Sequence, residues 1–212
     1  MIFITGPHAS GKTMIREMLF AYGFVCVELG TTLRAKHKET DSRLDFGSWC
    51  QEEEKIYGKN FTDDVIAEKI KEEIKNISES SSIQDLAIVG SRSLQGIEYI
   101  INKIVPINKR DNIIIYLDSP YEILKERYCL RENKQLTDLQ FNSLLEGDRQ
   151  IGIETIFASA DFFIWNDGSE FKLRSNLERI LFFNLKYSRN NCLFFNNSSE
   201  SEVKGDLENS TI

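Results

Sequence analysis

The stretch Gly6-Pro7-His8-Ala9-Ser10-Gly11-Lys12-Thr13 matches the pattern G-x-x-x-x-G-K-[ST] at every fixed position. It follows the short apolar run Met1–Thr5, which is typical of a buried strand. It leads into Lys12–Tyr22, where apolar residues recur at helical spacing. A strand, a glycine-rich turn and a helix in this order predict a phosphate-binding loop, or P-loop.

The residue types of this loop suit a nucleoside triphosphate. Gly6 and Gly11 permit a backbone ring whose N–H groups point at one anion, and the helix N-terminus adds partial positive charge. Lys12 is expected to reach the β- and γ-phosphates, and the Thr13 hydroxyl to ligate Mg²⁺. We therefore expect ATP and Mg²⁺ as cofactors, with His8 as a variable side chain of the loop.

Composition limits the other classes of function. The 212 residues carry a net charge of -7, with 41% hydrophobic and 28% charged residues, as in ordinary globular proteins. The acidic balance argues against a nucleic-acid polymer as partner. Four scattered cysteines, no long apolar run and an N-terminus without a basic region predict a soluble cytoplasmic protein. We expect no membrane partner, and the sequence leaves the oligomeric state open.

Short apolar runs alternate with amphipathic segments along the chain, which predicts an α/β protein with a parallel sheet. We expect a three-layer P-loop NTPase fold, with helices on both faces of a five-stranded sheet. The predicted strands are Met1–Thr5, Phe24–Glu28, Asp85–Val89, Asn112–Leu117 and Asp161–Trp165.

The domain organisation follows from a change in composition near residue 188. Residues 1–187 are predicted to form the domain, with a short helical lid at about 131–149. Within that lid, Thr137-Asp138-Leu139-Gln140 has the form of a capping box that opens a helix. Residues 188–212 are rich in Asn and Ser and are predicted to form a polar, mobile tail.

Arginines follow several of the predicted strands. Arg34 comes after the second strand, with a helix expected from Thr32, and Arg92 comes after the third strand. Arg127 and Arg131 lie four residues apart on one helical face. The carboxyl ends of parallel strands form the binding edge of the sheet, so we expect Arg34 and Arg92 near the phosphate loop. Guanidinium groups bind phosphate oxygens bidentately, which predicts an anionic pocket.

The chain resembles the nucleoside monophosphate kinase group, which includes adenylate kinase and, more distantly, dephospho-CoA kinase. The similar segments occur in the same order over most of residues 1–187. The P-loop is the specific motif, and the remaining segments are individually weak. They are Gly30–Ala35, Phe61–Ile66, Gly90–Arg92, Asp118–Arg131 and Ala160–Gly168.

The resemblance implies a kinase that transfers the γ-phosphate of ATP to a nucleoside or deoxynucleoside monophosphate. It implies catalytic roles for Lys12, Arg127, Arg131 and the lid residue Arg149, and acceptor binding by Arg34, Arg92 and Glu28. It also implies that Asn166 and Gly168 lie near the adenine. Because Val89 stands where the family has a metal-binding acid, we expect Thr13 and either Asp118 or Glu28 to hold the metal.

Two departures from the family pattern leave alternatives open. Thr31 stands where an acceptor-binding aspartate is expected, and Val89 replaces an acid that normally helps to hold Mg²⁺. One alternative is dephospho-CoA kinase-like transfer to a ribose hydroxyl, with Glu28 or Asp41 as the base. Another is a regulatory protein that binds nucleotide without transferring phosphate. A third is a nucleotide-gated interaction protein that docks through Leu193-Phe194-Phe195.

Overall fold

A computed structural model describes residues 1–76, 86–104 and 112–184, and its centre is a five-stranded sheet in the order β2-β3-β1-β4-β5. All four strand pairings are parallel. The strands are β1 (Ile2–Thr5), β2 (Val25–Glu28), β3 (Leu86–Ser91), β4 (Ile113–Asp118) and β5 (Phe162–Trp165). The predicted fold class is confirmed, with each strand within two residues of its predicted bounds.

Helices fill the connections between the strands. In chain order they are α1 (Lys12–Ala21), α2 (Leu29–Glu39), α3 (Phe46–Tyr57), α4 (Phe61–Asn76), α5 (Leu94–Ile104), α6 (Tyr121–Glu132), α7 (Asp138–Ile151), α8 (Ile153–Ser159) and α9 (Glu170–Asn184).

The helices cover both faces of the sheet because the strands are apolar on both sides. On one face, Phe3, Ile88 and Tyr116 join a buried cluster with residues of α4, α5 and α8. Helix α1 contacts β1, β2 and β3, and buries Ile15 and Leu19. A strand that is buried on both faces needs no polar alternation, which explains its continuous apolar sequence.

Strand β3 is longer than predicted, because Gly90 does not end it. Ile4 pairs with Val89 and Thr5 pairs with Ser91, so one extra residue bulges out of the strand. Gly90 takes a positive φ of 99°, which favours glycine at such a bulge. The strand then continues to Ser91, whose carbonyl oxygen accepts a hydrogen bond from the Thr5 hydroxyl at 2.6 Å. The prediction that β3 ends at Val89 is wrong for this reason.

Helix α2 starts earlier than the predicted Thr32, at Leu29, directly after β2. The Thr32 hydroxyl donates to the Glu28 carbonyl oxygen at 2.9 Å and supports this first turn. Arg34 lies within this helix, as predicted, but in its second turn instead of its first.

The chain divides into two units, Met1–Arg174 and Ser175–Ile212. The described part of the second unit is the C-terminal part of α9.

The predicted capping box is confirmed at the start of α7, where the Thr137 hydroxyl accepts from the Gln140 N–H. The predicted tail, and with it the proposed docking patch at Leu193-Phe194-Phe195, lies outside the described residues. Among the described helices, none has the length and apolar character needed to cross a membrane.

The packing predicts how far a small cavity in the central sheet lowers the free energy of unfolding. Ile88 is fully buried in β3, whereas Ile56 on α3 is 67% exposed. Ile88→Val should lower the free energy of unfolding by about 1 kcal/mol, since one buried methylene is lost. The matched Ile56→Val should change it by less than about 0.5 kcal/mol. Urea unfolding followed by circular dichroism measures both, and equal effects would contradict the assigned core.

Candidate phosphate-binding cavity

The predicted phosphate loop lies between the end of β1 and the start of α1, as its motif requires. Gly6 has a φ of 140°, and a Cβ there would lie 2.1 Å from the Leu117 carbonyl oxygen. Both the conformation and the contact exclude a side chain. The loop therefore starts against the backbone of β4, at the carboxyl edge of the sheet.

The other end of the loop rests on Asn166, the residue that follows β5. Asn166 is 2% exposed, and its Nδ2 donates to the Ser10 carbonyl oxygen at 2.8 Å. A Cβ on Gly11, whose φ is 100°, would lie 2.2 Å from that same Nδ2. Arg127 donates to Asn166 Oδ1 at 3.3 Å, so Asn166 links the loop to α6. The side chain of Asn166 thus supports the loop.

Lys12 folds back over the loop. Its Nζ donates to the carbonyl oxygens of Gly6 and Pro7, at 2.9 and 2.7 Å. Burial, together with the positive charge of Arg92, lowers the pKa of Lys12 to about 7, while the Asp148 carboxylate opposes the shift. A phosphate group at this lysine would bring the negative charge that favours its protonated form.

A cavity of about 570 Å³ opens in front of the loop. The structure brings four of the predicted arginines to its wall, from α2, from the end of β3 and from α6. The lining includes loop residues together with Glu28, Arg34, Val89, Gly90, Arg92, Arg127, Arg131 and Glu132. Since most of its charged groups are cationic, the cavity suits an anionic ligand of several phosphates or carboxylates.

A larger groove of about 880 Å³ runs along α2 and α4, away from the loop. Its lining mixes lysines with acids, such as Lys36 and Glu68, and includes no residue of Gly6–Thr13. We assign the chemistry to the smaller cavity because the phosphate loop and the converging arginines meet there.

The side chains expected to supply oxygen ligands for a metal do not all line the cavity. Thr13 and Glu28 line the same cavity, and Glu28 also pairs with Arg16 at 3.2 Å. Asp118 lies at the end of β4 and is not among the lining residues; its carboxylate accepts from the Ser119 N–H at 2.8 Å. Burial raises the pKa of Asp118. Hydroxyl and carboxylate oxygens are the ligands that Mg²⁺ prefers, so Thr13 with Glu28 fits that ion.

Arg149 and Gly168 are predicted site residues that the structure places outside the cavity lining. Arg149 is exposed on α7 and pairs with Glu146 and Glu154, at 3.1 and 3.3 Å. Gly168 follows β5 with a φ of 114°, and a Cβ there would lie 3.9 Å from Arg127.

Sequence reasoning missed Asp148, the residue that directly precedes Arg149. Asp148 is 2% exposed, and its carboxylate contacts His8 in the loop and Arg92 at the end of β3. The available signal was helical spacing, because Asp148 follows the buried Phe141 by seven residues and so shares its inner face. Burial, with the cations Arg92, Lys12, Arg131 and Arg34, lowers the pKa of His8 to about 3. His8 is therefore neutral at physiological pH.

Comparison with solved structures supports the fold. A shikimate kinase from Acinetobacter baumannii in complex with shikimate is 17% identical, with a TM-score of 0.53 over 85% of this chain and 89% of that chain. A protein from Thermus thermophilus is 16% identical, with a TM-score of 0.59 over 85% and 95%. An uncharacterized protein from Eubacterium ventriosum is 14% identical, with a TM-score of 0.52 over 88% and 98%.

These identities show the P-loop kinase fold alone, and they do not single out adenylate kinase or dephospho-CoA kinase. No protein-family model matches the chain. No curated protein matches its sequence either.

The close approach at Gly6 predicts a strong effect of one methyl group. Gly6→Ala should destabilise the protein by several kcal/mol, since the Cβ meets a core-strand carbonyl that cannot move away. Gly23→Ala is the matched control, because Gly23 also has a positive φ but no atom within 4 Å of a Cβ. It should cost about 1 kcal/mol from backbone strain alone. Thermal unfolding compares the two, and similar midpoints would contradict the packing described for the loop.

The lowered pKa of Lys12 predicts that nucleotide binding takes up a proton. With a pKa of about 7, free Lys12 is mostly neutral at pH 8, whereas bound phosphate favours its charged form. ADP binding at pH 8 should therefore take up about one proton, and affinity should fall as pH rises above 7. Titration calorimetry in two buffers of different ionisation enthalpy measures this uptake. Lys12→Arg, which stays charged, should bind without it; uptake by both proteins would assign the proton elsewhere.

Proposed function

We propose that the protein is a kinase that transfers the γ-phosphate of ATP to a small anionic acceptor. The observation that carries the proposal is the single cavity in which the phosphate loop faces Arg34, Arg92, Arg127 and Arg131. Phosphoryl transfer depends on positioning and on positive charge around the moving group, and this wall supplies both.

The two sides of the cavity suggest a division of roles. The loop and Lys12 bind the triphosphate, and Arg127 and Arg131 reach it from α6. Arg34 on α2 and Arg92 after β3 lie on the other side and bind the acceptor. Thr13 and Glu28 provide hard oxygen ligands for the Mg²⁺ that accompanies ATP. That ion would neutralise phosphate charge during transfer.

A nucleoside or deoxynucleoside monophosphate is the acceptor class that the arginines favour. A monophosphate needs cations for its phosphate but no general base, because its attacking oxygen is already anionic. Arg34 and Arg92 supply such cations, and Arg34 also lies 5.2 Å from the centre of the Phe46 ring.

A hydroxyl acceptor is the second candidate, and Glu28 is the observation that favours it. Glu28 lines the cavity, and in this second reaction its carboxylate would take the hydroxyl proton instead of ligating Mg²⁺. Dephospho-CoA offers such a hydroxyl on its ribose. Shikimate, the compound bound in one solved structure of this fold, offers a hydroxyl together with a carboxylate.

An ADP-release assay with a panel of acceptors tests the proposal. The panel holds nucleoside and deoxynucleoside monophosphates, dephospho-CoA and shikimate, each with and without Mg²⁺. We expect ADP release that requires both Mg²⁺ and one class of acceptor, and that is lost in Lys12→Ala. Tight nucleotide binding with no acceptor-dependent turnover would instead support the regulatory alternative.

Arginine variants then test the assigned sides of the cavity. Arg92→Ala should raise the KM for the acceptor at least tenfold and change the KM for ATP little, since one charge-assisted hydrogen bond is lost on the acceptor side. Arg174→Ala is the matched control, because Arg174 contacts Tyr22 and Glu170 and does not line the cavity. Initial rates at varied acceptor and varied ATP separate the two KM values. An Arg92→Ala effect confined to ATP would reverse the assignment.

A further inference from the structure

Asp148 is a buried acid that the proposed transfer reaction does not use directly. It lies in the last part of α7 and is 2% exposed, although the rest of that helix surface is largely polar. An ionised carboxylate removed from water is costly unless it is hydrogen-bonded and paired with a cation. The contacts of Asp148 therefore indicate what holds it there.

Those contacts join α7 to both sides of the cavity. One carboxylate oxygen, Oδ2, accepts from the backbone N–H of His8 at 3.1 Å. The other, Oδ1, lies 3.2 Å from the Arg92 guanidinium and 3.5 Å from the His8 ring Nε2. Asp148 thus accepts a hydrogen bond from a backbone amide of the phosphate loop and pairs by charge with a guanidinium of the acceptor side, while Oδ1 accepts no hydrogen bond within the described part of the chain.

The carboxylate of Asp148 also lies among an excess of cations. Lys12, Arg34, Arg92 and Arg131 line the adjoining cavity, and Glu28 and Glu132 are the acids in its lining. A negative charge beside Arg92 reduces its repulsion of Lys12, and the Asp148 carboxylate raises the pKa of Lys12 against the lowering effect of burial and Arg92. Removing this charge would leave Arg92 free to turn away from the lysine.

We propose that Asp148 is a positioning residue that fixes Arg92 and the phosphate loop relative to each other, from helix α7. The acceptor then meets a preorganised Arg92, and α7 holds the loop while transfer occurs. The proposal rests on the proposed function for the acceptor effect. The effect on the loop does not depend on transfer.

The carboxamide variant separates the two contacts. Asp148→Asn keeps an oxygen that can accept from the His8 N–H but removes the charge that pairs with Arg92. Asp148→Ala removes both. Asp138→Asn is the matched control, since Asp138 is an exposed acid at the start of the same helix and pairs with Lys125.

Acceptor kinetics test the contact with Arg92. Asp148→Asn should raise the acceptor KM about tenfold, the size expected for one charge-assisted contact, with the ATP KM and kcat changed less. In Arg92→Ala protein the same substitution should add little, because the residue that it positions is gone. Full additivity in the double variant, or an unchanged acceptor KM in Asp148→Asn, would overturn the proposal.

Amide hydrogen exchange tests the contact with the loop and needs no turnover. In Asp148→Ala, the peptide that contains His8 should exchange at least tenfold faster than in wild type, while in Asp148→Asn and Asp138→Asn it should stay near the wild-type rate. Thermal unfolding shows whether each variant is folded, and Asp148→Asn carries the kinetic test if Asp148→Ala is not. If exchange is faster in Asp148→Ala but no acceptor supports turnover, the kinase proposal is contradicted and the role of Asp148 in positioning the loop is still supported. An unchanged exchange rate in folded Asp148→Ala would contradict the proposal that Asp148 holds the phosphate loop.

Discussion

The approach of the phosphate loop to the backbone of β4 is the constraint on which the site depends. Gly6 leaves no space for a side chain against the Leu117 carbonyl oxygen, so the loop is seated on the carboxyl edge of the sheet. From the other side, Asn166 holds the Ser10 carbonyl oxygen. With the loop fixed by β4 and β5, the segments after β2 and β3 bring Arg34 and Arg92 to the same cavity. The order of the strands in the sheet decides which of these segments meet at this edge.

Charge in the molecule is unevenly distributed. The chain as a whole has a net charge of -7, yet the cavity wall is mainly cationic. Burial first, and then the neighbouring positive charges, lower the pKa values of Lys12 and His8. An anionic ligand would bring the opposite charge that this wall mostly lacks.

The sequence predicted the features that depend on local chemistry. The motif located the phosphate loop, and apolar runs located five strands and hence the class of fold. Arg34 and Arg92 could be brought together because strand topology places their segments at one edge. The end of β3 could not be predicted, because a glycine at a bulge and a glycine at a turn look alike in one sequence. Asp148 was missed because its partners are distant in sequence, at Arg92 and, 140 residues away, at His8, and local spacing can indicate that Asp148 faces inward but not what it contacts. The catalytic and binding roles of the predicted site residues, including Arg149, Asn166 and Asp118, stay predictions.

The bulge at Gly90 has a consequence for how this chain tolerates change in length. Side chains alternate between the two faces of a strand, so one extra residue inverts the parity of everything that follows it. Ser91 therefore takes the place opposite Thr5 that a strand without a bulge would give to residue 90. Deleting Gly90 would keep Ser91 opposite Thr5, whereas a regular strand of the same length would put Gly90 there and turn Ser91 to the other face. At this edge of the sheet the count of residues, and not only their identity, carries information about the site.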